Sequence, residues 1–163
     1  MDKIKDAFYQ VYVGEAKAAL RLKAYARKAR DEGYHPIANL FRVIARSEEI
    51  HGIRALEKLE AIKGTEENLE SSFQSETSVA AVAYQKFQKT ALEAGKESAA
   101  LIFSQAHDVE ETHSRLYRNA MDHMLENREV NYYICEICGY IAENHCPDTC
   151  PVCNAKKDRF TKA

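Results

Sequence analysis

Four glutamates fall where an amphipathic helix should be apolar, and they constrain this chain more than any other feature. Ile4, Phe8, Val11, Glu15, Ala19, Leu22, Ala26 and Ala29 recur at spacings of three and four, one face of a helix that Gly33 closes. His35-Pro36 opens a second helix with proline in its first turn. Its stripe runs Ile37, Phe41, Ile44, Glu48, His51, Ala55 and Ile62 and stops at Gly64. A third stripe holds Leu69, Phe73, Glu76, Ala80, Ala83, Phe87 and Ala91 before Gly95. A fourth holds Ala99, Phe103, Ala106, Glu110, His113, Tyr117, Ala120 and Met124. An unpaired carboxylate on a buried face is destabilising by several kcal/mol, so something must neutralise Glu15, Glu48, Glu76 and Glu110. The spacing repeats as well: Glu15 precedes Glu48 by 33 residues, Glu76 precedes Glu110 by 34, and both later glutamates open a Glu-x-x-His pair. Residues 1–128 therefore read as two copies of a helical hairpin, an all-α four-helix bundle.

Residues at i and i+3 share a helix face, so Glu48/His51 and Glu110/His113 each aim a carboxylate and an imidazole the same way. One glutamate from each of two helices plus one such pair from each of the other two is the ligand set of di-iron and di-manganese carboxylate bundles. Charge agrees, since two divalent ions cancel four carboxylates, and this donor set suits iron or manganese better than copper(I). His35, His107, His123 and His145 lie off the stripes or in turns and read as surface or capping residues.

All five cysteines fall between 135 and 153, too crowded for a disulfide framework. Cys135-x-x-Cys138 and Cys150-x-x-Cys153 are two knuckles of a tetrathiolate metal site over residues 129–163, with iron or zinc both admitted by the ligands. Gly139 and Asn154 follow the knuckles, and both residue types tolerate the positive φ that turns backbone N–H groups toward sulfur. Some 35 residues cannot build a core of their own, so the metal is also the staple of this segment. Cys146 has no knuckle partner and reads as a spare thiol. A formal charge of −2 without a basic block disfavours a polyanion partner, nucleic acid included. There is no run of 18 apolar residues and the start, MDKIKDAFYQ, is unlike a signal peptide, so a soluble cytoplasmic protein without a membrane role is expected.

Together these residues resemble the rubrerythrin family over essentially the whole chain: Gly14-Glu15, Glu48-Glu-x-His51, Glu67-Asn-Leu69, Glu76 with Tyr84, Glu110-x-x-His113, and the knuckles Cys135-x-x-Cys138-Gly-Tyr and Cys150-Pro-x-Cys153. The resemblance implies a ferritin-like di-iron bundle joined to a C-terminal rubredoxin-like domain with one iron, or zinc, in the four-cysteine site. It implies a peroxidase that reduces hydrogen peroxide to water, with NAD(P)H electrons arriving through a separate reductase or rubredoxin. Glu15, Glu48, His51, Glu76, Glu110 and His113 are then both iron ligands and the catalytic residues.

Two positions depart from the family pattern. A further glutamate usually stands one turn after the third-helix ligand, and here Val79 occupies it; a tyrosine common two turns after the first ligand is Leu22. In the family the missing carboxylate and the histidine at the His51 position exchange on iron with redox state. Its absence implies a four-Glu, two-His set and raises di-iron oxidase or ferroxidase chemistry, with oxygen as oxidant, as alternatives; a structural role with zinc at the cysteines is a third. The connection between hairpins is also short. From His51 to Lys63 a helix descends about 18 Å, and Glu76 lies about 15 Å inside a helix starting near Glu66 at ~1.5 Å per residue. Two loop residues, at most about 3.6 Å each, do not span that climb. The sequence thus predicts a homo-oligomer, a dimer at least, in which hairpins exchange between subunits.

Overall fold

The computed structural model of the chain describes residues 2–126 and 129–163, with the side chains of Val79, Ala80, Ala81 and Leu125 lying outside that description. Four helices are followed by a small sheet. The chain divides into two compact units, one ending at Lys63 and the other running from Gly64 to Ala163.

The first unit is the hairpin of α1 (Lys3–Asp31) and α2 (His35–Lys58). The Asp2 carboxylate accepts the Ile4 N–H at 2.9 Å and caps α1. At the other end Gly33, at φ 84°, lets the Tyr34 N–H reach back to the Ala29 carbonyl at 2.8 Å. Small residues then let the two helices approach closely: Ala19, Ala29, Ala45, Gly52 and Ala55 are the buried positions of the hairpin. A methyl group at Gly52 would already touch the Glu15 β-carbon at 3.6 Å. The second helix ends at Lys58 rather than near Lys63. Glu60 adopts φ 56°, and the Glu60 and Ala61 N–H groups bond back to the Glu57 and Leu56 carbonyls, so a helix-terminating turn forms at a residue that is not glycine. Ile62 consequently lies outside the helix.

In the second unit α3 (Thr65–Ser78) continues through a π-helical segment, Val79–Tyr84, into α4 (Gln85–Glu93). A π segment inserts residues into the helical register, so the faces before and after it are rotated relative to the single stripe expected from sequence. Gly95, at φ 65°, closes α4, and α5 (Glu97–Asp122) returns alongside. Phe87 and Phe103 meet across this hairpin at 5.6 Å between ring centroids, and the Arg118 guanidinium lies 4.7 Å over the Phe73 ring.

A three-stranded antiparallel sheet follows, in order β2-β1-β3, from β1 (Tyr132–Cys135), β2 (Ile141–Glu143) and β3 (Phe160–Lys162). Tyr133 pairs with Ala142 on one side and Lys162 on the other. Among the described residues no helix is long and apolar enough to cross a membrane.

Burial is sparse in the helices. Their buried apolar side chains, among the described residues, are six alanines and Val109, whereas Ile4, Leu20, Ile37 and Ile53 are between 45% and 73% exposed. A chain of this length ordinarily sequesters its isoleucines and leucines.

Candidate metal centres

Within the first hairpin, one ligand atom each from Glu15, Glu48 and His51 lies within 4.8 Å of the other two. His51 Nδ1 stands 3.1 Å from Glu48 Oε2 and 3.8 Å from Glu15 Oε1. Within the second hairpin, Glu76, Glu110 and His113 form the same triad, with His113 Nδ1 3.0 Å from Glu110 Oε2. The structure thus gathers the six stripe residues into two equivalent triads, one per hairpin. Each uses the i, i+3 geometry that aims both donors of a Glu-x-x-His pair at one point.

The electrostatics of both triads favour a cation. A hydrogen bond to Glu48, then partial burial, raises the Glu15 carboxyl above its usual range. Burial beside Glu110 pushes Glu76 up to about 7. Carboxylates crowded this closely resist ionisation together unless a positive charge joins them. His113 Nε2 is moreover buried without a hydrogen-bond partner among the described residues. Tyr84, at the end of the π segment, feels Glu110 and Glu76, and burial first and those charges second hold its hydroxyl protonated beyond the ordinary phenol range. The periodicity of the chain assigns that phenol no place on the third stripe, and it stands at the end of the π segment.

Cys135, Cys138, Cys150 and Cys153 form the third cluster. The sulfurs of Cys135 and Cys153 are 3.7 Å apart and those of Cys138 and Cys150 3.6 Å. Metal-sulfur bonds of ~2.3 Å give a tetrahedron with edges of about 3.8 Å, so the four thiols already stand at ligand spacing and far outside disulfide distance. Gly139 (φ 84°) and Asn154 (φ 60°) take the positive φ expected after each knuckle. Burial raises the Cys138 and Cys153 thiols, whereas at Cys135 the backbone N–H groups of Cys138 and Ile137, with neighbouring thiols, outweigh burial and lower it. Cys146 stands apart from the four, its sulfur 3.8 Å from the Pro147 carbonyl.

In the second unit the cysteine cluster rests on α5. A β-carbon at Gly139, the residue after Cys138, would lie 3.9 Å from Val109 Cγ1, and Val109 is the buried neighbour of Glu110. A cavity of about 560 Å³ opens beside this contact, lined by Glu76, His113 and Tyr117 from the helices and by Tyr132, Ile134 and Ile141 from the sheet. This seating has no signature in the sequence pattern. His107, Asp108 and Glu111 also approach one another on α5, but the two carboxylates are exposed to water, and His107 is engaged by Gln85 at 3.4 Å.

The family model described as Rubrerythrin matches residues 9–121, and that described as Rubrerythrin, rubredoxin-like domain matches residues 133–161. The chain is 31% identical to a nigerythrin of Nitratidesulfovibrio vulgaris, over 91% of this chain and 80% of that one. It is 28% identical to rubrerythrin-2 of Clostridium acetobutylicum, over 95% and 94%. A solved structure of nigerythrin in a mixed-valent state covers 98% of this chain and 86% of its own with a TM-score of 0.60 at 27% identity.

Proposed function

The chain belongs to the rubrerythrin family, oxidoreductases with a di-iron carboxylate site and an iron at rubredoxin-like cysteines, and from that premise we propose that it is a peroxidase reducing hydrogen peroxide to water. The carrying observation is the pairing of two Glu/Glu/His triads with a four-sulfur cluster seated one residue from Glu110. We assign Glu15, Glu48, His51, Glu76, Glu110 and His113 as ligands of the iron pair, and Cys135, Cys138, Cys150 and Cys153 as ligands of a single iron. Bound iron supplies the two electrons and the Lewis acidity for cleaving the O–O bond. The reaction also consumes two protons per peroxide, and the protein must place at least one. Tyr84 Oη, kept protonated beside Glu76 and Glu110, holds such a proton at the site. Four carboxylates would cancel the charge of two ferrous ions held among them, leaving no net charge buried. Electrons come in at the cysteine cluster, whose Gly139 faces Val109 closely enough that an added β-carbon would meet it, from NAD(P)H through a separate reductase or a rubredoxin. The bundle is assigned to residues 1–128 and the cysteine domain to 129–163, in a cytoplasmic protein.

The test is the re-oxidation of the fully reduced protein, followed by the visible absorption of the ferric tetrathiolate. Peroxide is expected to re-oxidise it at least tenfold faster than oxygen at equal concentration, a barrier difference of about 1.4 kcal/mol. Equal rates, or catalytic ferrous oxidation beyond two irons per site, would point instead to oxidase or ferroxidase chemistry. A colourless cysteine site containing zinc would remove the electron relay.

One residue favours that second reading, Val79, whose side chain lies outside the described residues. It replaces the additional glutamate of the family pattern at the first position of the π segment. Val79→Glu is expected to speed peroxide re-oxidation about tenfold, a change of ~1.4 kcal/mol in barrier. It should also weaken His51 ligation in the oxidised state, read by crystallography. Unchanged rate and ligation would dissociate position 79 from the choice of oxidant.

We further propose that each iron pair is assembled from two chains, Glu15, Glu48 and His51 of one with Glu76, Glu110 and His113 of the other. From His51 to the end of α2 is about 10 Å, and from Thr65 to Glu76 about 16 Å, at ~1.5 Å per residue. The turn at Glu60 uses up the first linker residues, and Ala61 to Thr65 spans at most about 14 Å. That does not cover the climb a bundle with parallel second and third helices requires. The exposed Ile4, Val11, Ile37 and Ile44 lie on the ligand-bearing stripes, the face a second copy's hairpin would cover.

A further inference from the structure

We propose that the outer groove of the α1–α2 hairpin is a binding site for a small polyphosphate anion, of the class of a nucleoside diphosphate. Along the sequence the charges balance, which argued against any polyanion partner. That balance is an average: residues 17–46 hold eight lysines and arginines against two acids, the rest of the chain is correspondingly acidic, and the fold gathers part of the basic set in one groove. The turn at Gly33 brings Lys23, Arg27 and Arg30 of α1 face to face with His35, Asn39 and Arg42 of α2 around a cavity of about 480 Å³, and no carboxylate lines it. Lys23 is already paired with Glu49, and the Arg42 guanidinium donates to Asn39 Oδ1 at 2.7 Å, which holds its fork in place. Arg27 and Arg30 make no ion pair among the described residues and are exposed to water. Guanidinium groups present planar pairs of donors that match phosphate oxygens bidentately. At the same end α2 starts without a side-chain cap and with no acid in its first turn, so its free N–H groups add partial positive charge.

The size of the groove selects among anions. Lys23 to Arg30 covers about 10 Å of helix, as does His35 to Arg42, at ~1.5 Å per residue. Beyond these limits Asp31 and Glu32 close the turn and Glu48 and Glu49 follow on α2. A polymer with a charge every ~1.7 Å of axis would have to run on over those acids. A di- or triphosphate would not. At ~100° per residue Lys23, Arg27 and Arg30 lie roughly 60–120° around α1 from Glu15, and His35, Asn39 and Arg42 roughly 120–180° around α2 from Glu48, so a hairpin packed on the ligand-bearing stripe leaves the groove open.

Titrating the full-length iron-loaded protein with inorganic pyrophosphate, by calorimetry at low salt, tests the site. One-to-one binding per chain is expected, weakened at least tenfold in the double variant Arg27→Gln/Arg30→Gln and unchanged in Lys86→Gln/Lys89→Gln, whose lysines lie on α4. Any iron drawn off by the probe would be the same in all three proteins, so the difference between variants reads the groove. A second arm compares adenosine diphosphate with pyrophosphate: equal affinity assigns the site to the phosphates alone, and tighter binding assigns the nucleoside a contact too. Absence of saturable binding, an equal loss in the α4 variant, or tighter binding of duplex DNA or an acidic protein than of either phosphate would overturn the proposal. Circular dichroism of the Arg27/Arg30 variant should show unaltered helix, since neither residue packs in the hairpin.

Discussion

Two inactive variants, mixed, should regain about a quarter of the wild-type sites. Glu48→Ala removes a ligand from the first hairpin and Glu110→Ala one from the second, and each alone leaves every iron pair with a damaged shell. If the hairpins exchange, a mixed dimer contains one site built from both damaged hairpins and one built from the two intact ones. Statistical mixing makes half the dimers mixed, so about a quarter of all sites carry the full ligand set in a two-fold symmetric assembly. The measurement is iron bound per chain and peroxide-driven re-oxidation after the two proteins are unfolded and refolded together. The reciprocal experiment gives the opposite sign. A chain with both substitutions, refolded with wild type, poisons both sites of every mixed dimer, leaving about a quarter of sites rather than half. Failure of the first mixture to recover activity, with half the sites surviving in the second, would show that each chain builds its own iron pair.

The clustering of the candidate ligands was legible because the signals are local. A three-residue spacing on a helix and a two-residue gap in a knuckle fix the relative placement of donors without any knowledge of the rest of the fold. Glu48 with His51 and Glu110 with His113 pair for that reason alone. What was not legible depends on competition between distant parts. The end of α2 at Lys58 rests on a left-handed conformation at Glu60, and no glycine announces it. The π segment Val79–Tyr84 changes the helical register, and its residues, Val-Ala-Ala-Val-Ala-Tyr, read as ordinary helix. The groove of Arg27, Arg30 and Arg42 exists only because the Gly33 turn folds two separately unremarkable basic stretches together.

The sparse burial links the fold to the assembly. With alanines as its buried positions, the first hairpin is a close-packed pair of helices and not a core. Apolar stripes left in water are a standing cost of about 25 cal/mol per Å², which a second copy recovers by covering them. If the iron pair is built from two chains as proposed, association would give such a chain its solvent-excluded iron site and its stability in one step.

The second large effect belongs to the cysteine domain. Cys150→Ser is expected to unfold residues 129–163 while leaving the helices folded. The strands are three or four residues long, and the buried side chains of this segment, among the described residues, are Cys135, Ala142 and Cys150. Nothing there substitutes for the metal, and binding free energies on the order of 10 kcal/mol typically hold such sites together. Three thiolates and a hydroxyl forfeit much of that, and the sheet with it. The expected readouts are loss of the visible tetrathiolate absorption, rapid proteolysis between α5 and β1, and a helical circular dichroism signal close to that of the unaltered chain. Turnover with a reductase should fall to background. A single re-oxidation by peroxide should persist after chemical reduction, because the six Glu and His ligands are untouched. Were the variant to lose its absorption and keep its turnover, the cysteine cluster would not be where electrons come in. Were single re-oxidation lost as well, the packing of the cysteine segment on α5 would be needed to hold Glu110 and His113 in ligand geometry.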